Sequence, residues 1–254
     1  ATQHKKETQR AKRTTTAKQA AAWCNPLQFL CDYTNAVLDG ETGELLEYRH
    51  LIQCPKYREA WSISFRNKIG WLAQGMPGRV EGTNTIFFIP KSLVPANRWK
   101  DVTYGRIVCD IRDNKAETHR TRLTIGGDRI NYPEDCRMPT ADLLMLKLLL
   151  NSVISTPRAR FMTMDISNFY LMTPLLQPEY IRIKLSNLPE EIIQQYKLND
   201  KANKNGMVFV KVTKGMHGLP QSGLLANVLL KKRLNQHGYH QSKLVPGLWK
   251  HELR

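Results

Sequence analysis

Asp165 is the residue whose surroundings most strongly suggest chemistry. It lies near the end of an otherwise apolar run, residues 160–166, whose alternating side chains predict a β-strand. A carboxylate in such a place must be solvated, paired with a cation or bound to a metal. A lone acid at a strand end is more often a turn former or an ion-pair partner. Two neighbouring features make metal binding by Asp165 more plausible than the position alone would. They are the aromatic Tyr170, five residues later, and a Gly-Leu-Pro-Gln segment at residues 218–221.

Two basic side chains are predicted to project together from a second strand. Residues 117–125 form an extended run in which Arg120 and Arg122 share one face. The other face carries Thr121, Leu123 and Ile125. Planar guanidinium groups bind phosphate oxygens well, so the pair could hold a polyphosphate. A solvated hairpin face is the alternative, and for Arg120 it is equally compatible with the pattern.

The preceding part of the chain predicts a helix and a hairpin. Apolar residues recur at helical spacing at Trp61, Phe65, Ile69 and Leu72. Residues 85–89 are strand-like. Residues 106–111 alternate between apolar and polar, and a turn at Asp113-Asn114 leads into the run 117–125.

The following part predicts further helices and strands. Thr140 is a good N-cap for a leucine-rich helix that reaches Ile154, with Asp142 in its first turn, and that helix is expected to be buried on most sides. Strands are predicted at 180–185 and 207–212, and a helix at 220–237 with Gly238 beyond its end. Helices and strands mix without strict βαβ alternation. The sequence therefore predicts an α+β fold, an antiparallel sheet with helices packed on one face.

The charge balance indicates a polyanionic partner. Thirty-eight Lys and Arg against 22 Asp and Glu give a net charge of +16 and a pI near 9.8. We favour nucleic acid over an acidic membrane, because no basic amphipathic helix of the membrane-surface kind is evident. Residues 1–21 are rich in Lys and Arg and predict a flexible basic arm, which either binds phosphates or is a solvated tail.

Cysteine usage and hydropathy indicate the compartment. The 5 cysteines lack the spacing of a disulfide framework or a zinc knuckle, which favours a reducing, intracellular location. No apolar run is long enough for a transmembrane helix. The first residue is Ala, so we expect an internal part of a longer product.

Several separated blocks carry a family resemblance. They are FMTMDISNFYL at 161–171, ETHRTRLTIGG at 117–127 and KGMHGLPQSG at 214–223. Three shorter segments, PTA at 139–141, YIRIK at 180–184 and GLW at 247–249, fall between and after them in the same order. Together they resemble the reverse transcriptases of copia-type retrotransposons, from about residue 38 onward.

The resemblance implies a role for each matching residue. Asp165 matches the first catalytic aspartate, which binds two Mg²⁺ ions together with the carbonyl of Ile166. Tyr170 matches the aromatic that packs under the sugar of the incoming nucleotide and excludes a 2′-hydroxyl; without the motif it would be an ordinary core aromatic. The remaining matches are Arg120 and Arg122 with the triphosphate, Gln221 with the nucleotide sugar, and Gly218 and Gly223 where nucleotide and template approach the backbone.

The resemblance also implies an architecture and partners. We expect a flexible arm or linker with a short helix at 1–37, a fingers-like region at 38–138 and a partial palm at 139–254. RNA template, DNA primer, dNTPs, and the integrase and ribonuclease H regions of the same polyprotein are the implied partners, with no membrane. The implied location is a cytoplasmic particle or the nucleus.

Two departures limit the implied activity. Phe169 stands where the family usually has a small residue, and no adjacent pair of aspartates, the second carboxylate motif of the family, occurs in the sequence. We therefore expect this piece of an RNA-directed DNA polymerase to be inactive by itself. The alternatives are a non-catalytic basic nucleic-acid-binding module and a decayed transposon remnant.

Overall fold

A computed structural model describes residues 36–112, 115–133, 135–136, 138 and 141–252. The predicted basic arm with its short helix, the predicted turn at Asp113-Asn114 and the predicted N-cap Thr140 lie outside these residues. The chain forms two compact units. Among the described residues, one unit contains those up to Lys68 and those between Ile107 and Leu123, and the other contains Ile69–Arg106 and those from Thr124 onward.

The described residues contain short strands, one long helix and two medium ones. The strands are β1 (Ala36–Leu38), β2 (Leu45–Glu47), β3 (Gly75–Met76), β4 (Val80–Glu81), β5 (Ile86–Ile89), β6 (Thr103–Ile111), β7 (His119–Ile125), β8 (Pro174–Lys184), β9 (Met207–Lys214), β10 (Tyr239–Gln241) and β11 (Trp249–His251). The α-helices are α1 (Tyr48–Leu51), α2 (Pro55–Leu72), α3 (Leu143–Ser155), α4 (Glu190–Gln195), α5 (Leu198–Lys201) and α6 (Ser222–Asn235). Four 3₁₀ turns lie at Lys91–Leu93, Ala96–Asp101, Gly127–Arg129 and Leu185–Asn187.

The main sheet has five strands in the order β5-β9-β8-β6-β7. β9 pairs antiparallel with both β5 and β8, whereas β6 pairs parallel with β8, Thr103 opposite Ile181. The structure is a mixture of helices and a mostly antiparallel sheet, which is compatible with the predicted α+β class, and the parallel pair β6–β8 is the departure from the predicted antiparallel sheet. A parallel pair needs a long crossover connection, and the chain between β6 and β8 supplies one that includes α3.

The long helix α2 confirms the predicted apolar face. The side chains of Trp61, Phe65, Ile69 and Leu72 are all buried. In the first unit the ring of Phe65 lies 4.9 Å from the ring of Tyr48, and the Ser64 hydroxyl lies 3.0 Å from that of Thr121. In that unit, therefore, α2 is joined to α1 by aromatic packing and to β7 by a buried hydrogen bond.

Helix α3 forms where the leucine-rich run predicts it, but its expected burial is wrong. Asp142 is the N-cap, accepting a 2.7 Å hydrogen bond from the Leu144 amide, and the helix ends at Ser155, before Pro157. None of its residues is buried, and Leu144 and Ile154 are 59% and 84% exposed. The leucine content of α3 favours burial of the helix. Burial also needs another part of the protein to pack against the helix, and composition does not show whether there is one.

The predicted strand at 160–166 is also wrong. Residues 160–166 follow an irregular path with no strand assignment. Phe161, Met162 and Met164 are at least half exposed. A strand needs a neighbour for its amide and carbonyl groups. Strand β8 is already flanked by β9 and β6, so no place beside it is left for this segment.

The second unit contains a buried carboxylate, Glu179 on β8, which is 5% exposed. Arg98 binds one of its oxygens at 2.5 Å, and the Gln221 amide donates a 2.9 Å hydrogen bond to the other. Burial raises the pKa of Glu179, whereas Arg98 and Gln221 lower it. The ion pair thus connects β8 to the turn at Ala96–Asp101, and the hydrogen bond connects β8 to Gln221, the residue preceding α6.

We predict that Arg98→Met lowers the free energy of unfolding by about 3 to 5 kcal/mol, because it leaves Glu179 buried without a cation. The matched control is Arg79→Met, which breaks the 3.1 Å ion pair with Glu191, where both side chains are about half exposed. An exposed pair contributes roughly 0 to 1 kcal/mol. Urea denaturation of both variants is the measurement, and equal losses would contradict the assigned role of Arg98.

Candidate nucleic-acid interface

The cationic face of β7 lies where the sequence predicts it. Thr121, Leu123 and Ile125 are buried, and the alternating Arg120 and Arg122 are half-buried on the other face. The Arg122 guanidinium is 3.7 Å from the Asp110 carboxylate on β6. The predicted alternation is confirmed, and binding of a triphosphate by the two arginines stays a prediction.

Lys68 on α2 adds a cation that the sequence reasoning missed. Its pKa is lowered to about 8, first by burial and then by the charges of Arg120 and Arg122, while Glu117 opposes the shift. Helical spacing offered one signal, since Lys68 lies three residues beyond Phe65 and therefore beside the buried face. It could not show that β7 would bring two arginines near the ammonium.

These side chains form what we call the cationic cluster: Lys68, Arg112, Arg120 and Arg122. Burial lowers the pKa of Arg120, and the nearby Arg122 and Arg112 lower it further. Arg112 is paired with Glu117 at 3.2 Å. Arg122 faces Asp110 and Arg112 faces Glu117. Like charges held near one another favour the binding of a polyanion.

We predict that Lys68→Met stabilises the protein at pH 7 by roughly 1 to 3 kcal/mol, because folding lowers the pKa of this lysine. The unfolded chain holds the proton more tightly, so the wild type should gain stability as the pH rises from about 8 towards 10.5, the ordinary value. Thermal denaturation across this range is the measurement, and the variant should lack the gain. Lys232→Met, at an exposed position of α6, is the control and should change stability little.

Asp165 is exposed and lies in the irregular segment between α3 and β8. Ile166 beside it is 39% exposed. Within the described ranges, no three His, Cys, Asp or Glu side chains form a group that could hold a metal ion. The donors around Asp165 and the Ile166 carbonyl therefore do not fit a pair of Mg²⁺ ions, and no catalytic step through a metal follows from this geometry.

Tyr170 lies close to the segment that precedes α6. Its ring centroid is 5.5 Å from that of His217, in an edge-on arrangement, and 5.7 Å from that of Phe169. A side chain on Gly215 would come within 2.6 Å of the Tyr170 carbonyl oxygen. Two of the three long sequence blocks, 161–171 and 214–223, thus meet in the second unit.

The third block meets them through its last residues. The Ile125 amide donates a 2.9 Å hydrogen bond to the His217 carbonyl. A Cβ atom on Gly127 would lie 2.0 Å from the Gly218 carbonyl oxygen, so the two backbones touch with no room for a side chain. Residues 125–127 and 215–218 are therefore packed backbone to backbone, with Tyr170 beside them.

Gly218 and Gly223 differ in what their missing side chains permit. Gly218 has φ of +92°, and a Cβ there would meet the Ile125 carbonyl oxygen at 2.0 Å. At Gly223 the nearest atoms to an added Cβ are those of Met138 at 3.5 Å, an ordinary contact. Gly218 is thus required by internal packing, and the approach of nucleotide or template at either glycine stays a prediction.

Gln221 is buried at the start of α6, with 2% of its surface exposed. Its amide nitrogen donates to Glu179, and its side-chain oxygen has no hydrogen-bond partner among the described residues. The side chain therefore fixes the start of the helix to β8. The predicted contact with a nucleotide sugar would need that free oxygen, and it stays a prediction.

We predict that Gly218→Ala lowers the free energy of unfolding by about 2 to 4 kcal/mol, because it combines a positive φ with a backbone clash. Gly223→Ala is the matched control and should be neutral or slightly stabilising, since Gly223 is helical and has room for a methyl group. Chemical denaturation distinguishes the two. If both variants were equally stable, the close packing of residues 125–127 against Gly218 would be contradicted.

The chain matches no family model, no curated protein and no solved structure. None of the helices in the described part of the chain is long and apolar enough to cross a membrane. Function is therefore inferred from the residues, their contacts and the sequence blocks at 117–127, 161–171 and 214–223.

Proposed function

We propose that the chain is a piece of the reverse-transcriptase region of a copia-type retrotransposon polyprotein, whose parent acts on an RNA template, a DNA primer and dNTPs. The proposal rests on one observation above all. The three long blocks that carry the resemblance are far apart in the sequence, yet Ile125, Gly127, Tyr170 and Gly218 come together at one place in the second unit. Blocks that served separate purposes would have no reason to converge.

The cationic cluster supports the same function on physical grounds. Lys68 and Arg120 are held partly buried among like charges, which lowers their pKa values. Such an arrangement costs stability in the free protein. A bound triphosphate or nucleic-acid backbone would offset that cost, because phosphate oxygens accept charge-assisted hydrogen bonds from guanidinium groups such as those of Arg120 and Arg122.

A role for Mg²⁺ rests on the resemblance alone. The family match assigns two ions to Asp165 and the Ile166 carbonyl, and the donors described around them do not form that site. The cationic cluster and the converging blocks support the binding of a polyanion, and binding of nucleic acid and of a nucleotide is part of the proposal. Polymerisation by two-metal phosphoryl transfer belongs to the proposal for the parent protein.

The second candidate is a basic nucleic-acid-binding module without chemistry. The exposed Asp165, with no metal-binding group around it in the described ranges, favours this alternative. It explains the net charge of +16 equally well. It does not account for a nucleotide-specific site, and that difference can be measured.

We predict that a dNTP complementary to the next template base, added with Mg²⁺, tightens binding to an RNA-template and DNA-primer hybrid by at least about fivefold. A mismatched dNTP should have a smaller effect, because pairing with the template selects the nucleotide. Fluorescence anisotropy of the labelled hybrid gives both affinities. Arg122→Gln should weaken the dNTP effect, since it removes a guanidinium from the cationic cluster.

Arg233→Gln is the charge-matched control, because Arg233 is exposed on α6 and is not among the residues named for binding. It should leave the dNTP effect intact. Hybrid binding that is identical with matched, mismatched and no dNTP would reject the polymerase assignment in favour of the binding module. Absence of hybrid binding at low salt would reject both.

A further inference from the structure

A groove of about 430 Å³ lies in the second unit beside the packed backbones of residues 125–127 and 218. Its lining includes Tyr104, Arg106 and Pro220, together with residues 124–128 and Gly218. The volume falls within the roughly 300 to 1,000 Å³ range of small-ligand sites. None of the sequence motifs assigns a role to Tyr104 or Arg106.

The Tyr104 ring is held in one place on the wall of this groove. Its hydroxyl donates a 3.0 Å hydrogen bond to Asp128, and its backbone carbonyl accepts one of 3.0 Å from the Gly126 amide. The phenol end of the ring rests on Gly126, where an added Cβ would lie 2.5 Å from the ring carbon Cζ. A ring fixed in this way loses little conformational entropy when a ligand stacks on it.

Two guanidinium groups accompany the ring. The Cζ atoms of Arg106 and Arg129 lie 5.8 Å and 5.6 Å from the ring centroid of Tyr104. Both arginines are exposed, and neither forms a salt bridge with any residue in the described ranges. The groove therefore combines a fixed aromatic ring with two exposed cations that lie over it.

We propose that Tyr104, Arg106 and Arg129 form a stacking platform for one base of a single-stranded nucleic acid, with the two arginines on the adjacent phosphates. Aromatic stacking combined with arginines along the backbone is how sequence-tolerant single-strand sites work. A duplex does not fit this chemistry, because its bases are stacked on each other. The inference deepens the proposed function, on which it rests for the identity of the strand as template.

The role of the Tyr104 ring is tested with two single-stranded oligonucleotides of equal length and charge. One carries every nucleobase, and the other contains abasic sites. The wild-type chain should bind the strand with bases at least about fivefold more tightly, the effect of one stacked base. Tyr104→Leu should reduce this preference because it removes the ring. Tyr104→Phe keeps the ring and should retain most of it.

Gly126→Ala is a second test that removes neither an aromatic nor a charge. Its φ of −72° suits alanine, and the added methyl group meets only the movable end of the Tyr104 side chain. The variant should therefore fold and displace the ring. We expect it to lose the preference for bases as Tyr104→Leu does, with its thermal stability measured alongside.

The arginines are tested by salt dependence. Arg106→Gln and Arg129→Gln should each reduce the slope of log affinity against log salt by about 0.7, the value for one phosphate contact with a single strand. Arg233→Gln is the control and should leave the slope unchanged.

The outcomes separate this inference from the proposed function. Wild-type binding without a preference for bases, or a preference that survives in Tyr104→Leu and Gly126→Ala, would overturn the stacking platform and leave the matched-dNTP effect unaffected. Loss of that dNTP effect with an intact, Tyr104-dependent preference for bases would reject the polymerase assignment and support a single-strand-binding protein.

Discussion

The buried carboxylate of Glu179 is the constraint on which the second unit depends. A charge in the interior must be compensated, and here Arg98 and the Gln221 amide do so from two separate parts of the chain. Because Gln221 immediately precedes α6, the ion pair fixes where that helix begins relative to β8. The turn before the helix is fixed in the same region by Ser222, whose hydroxyl accepts a hydrogen bond from the Met216 amide and donates one to the Met216 carbonyl. The position of Gly218, and hence the groove beside Tyr104, follows from these bonds.

The two candidate binding regions are supported by different physics. The region around Gly127 and Gly218 is rigid because backbones touch where no side chain fits. The cationic cluster is held instead by burial of Lys68 and Arg120 against the repulsion of their neighbours. Rigidity suits a surface on which a flat base stacks, since nothing must be ordered on binding. A cluster of positive charge suits phosphates, whose binding relieves the repulsion between the cations.

The sequence predicted the elements whose patterns are local. The apolar spacing of Trp61 and Phe65 located α2, and the alternation along residues 119–125 located both β7 and its cationic face. The sequence-based predictions were wrong where an element needs another part of the chain to pair or pack with it. Residues 160–166 have the alternation of a strand, but β8 already has a neighbour on each side. The leucines of α3 predicted burial, and no facing surface covers them within the described ranges. Lys68 and Tyr104 were missed because their importance comes from residues distant in the sequence, Arg120 and Gly126.

The lowered pKa of Lys68 also bears on its reactivity. Burial and the charges of Arg120 and Arg122 disfavour the ammonium form, so more of the amine is unprotonated near neutral pH than at an ordinary lysine. Aldehydes and activated esters react only with the unprotonated amine. We therefore expect covalent labelling of Lys68 to begin at a lower pH than labelling of an ordinary lysine.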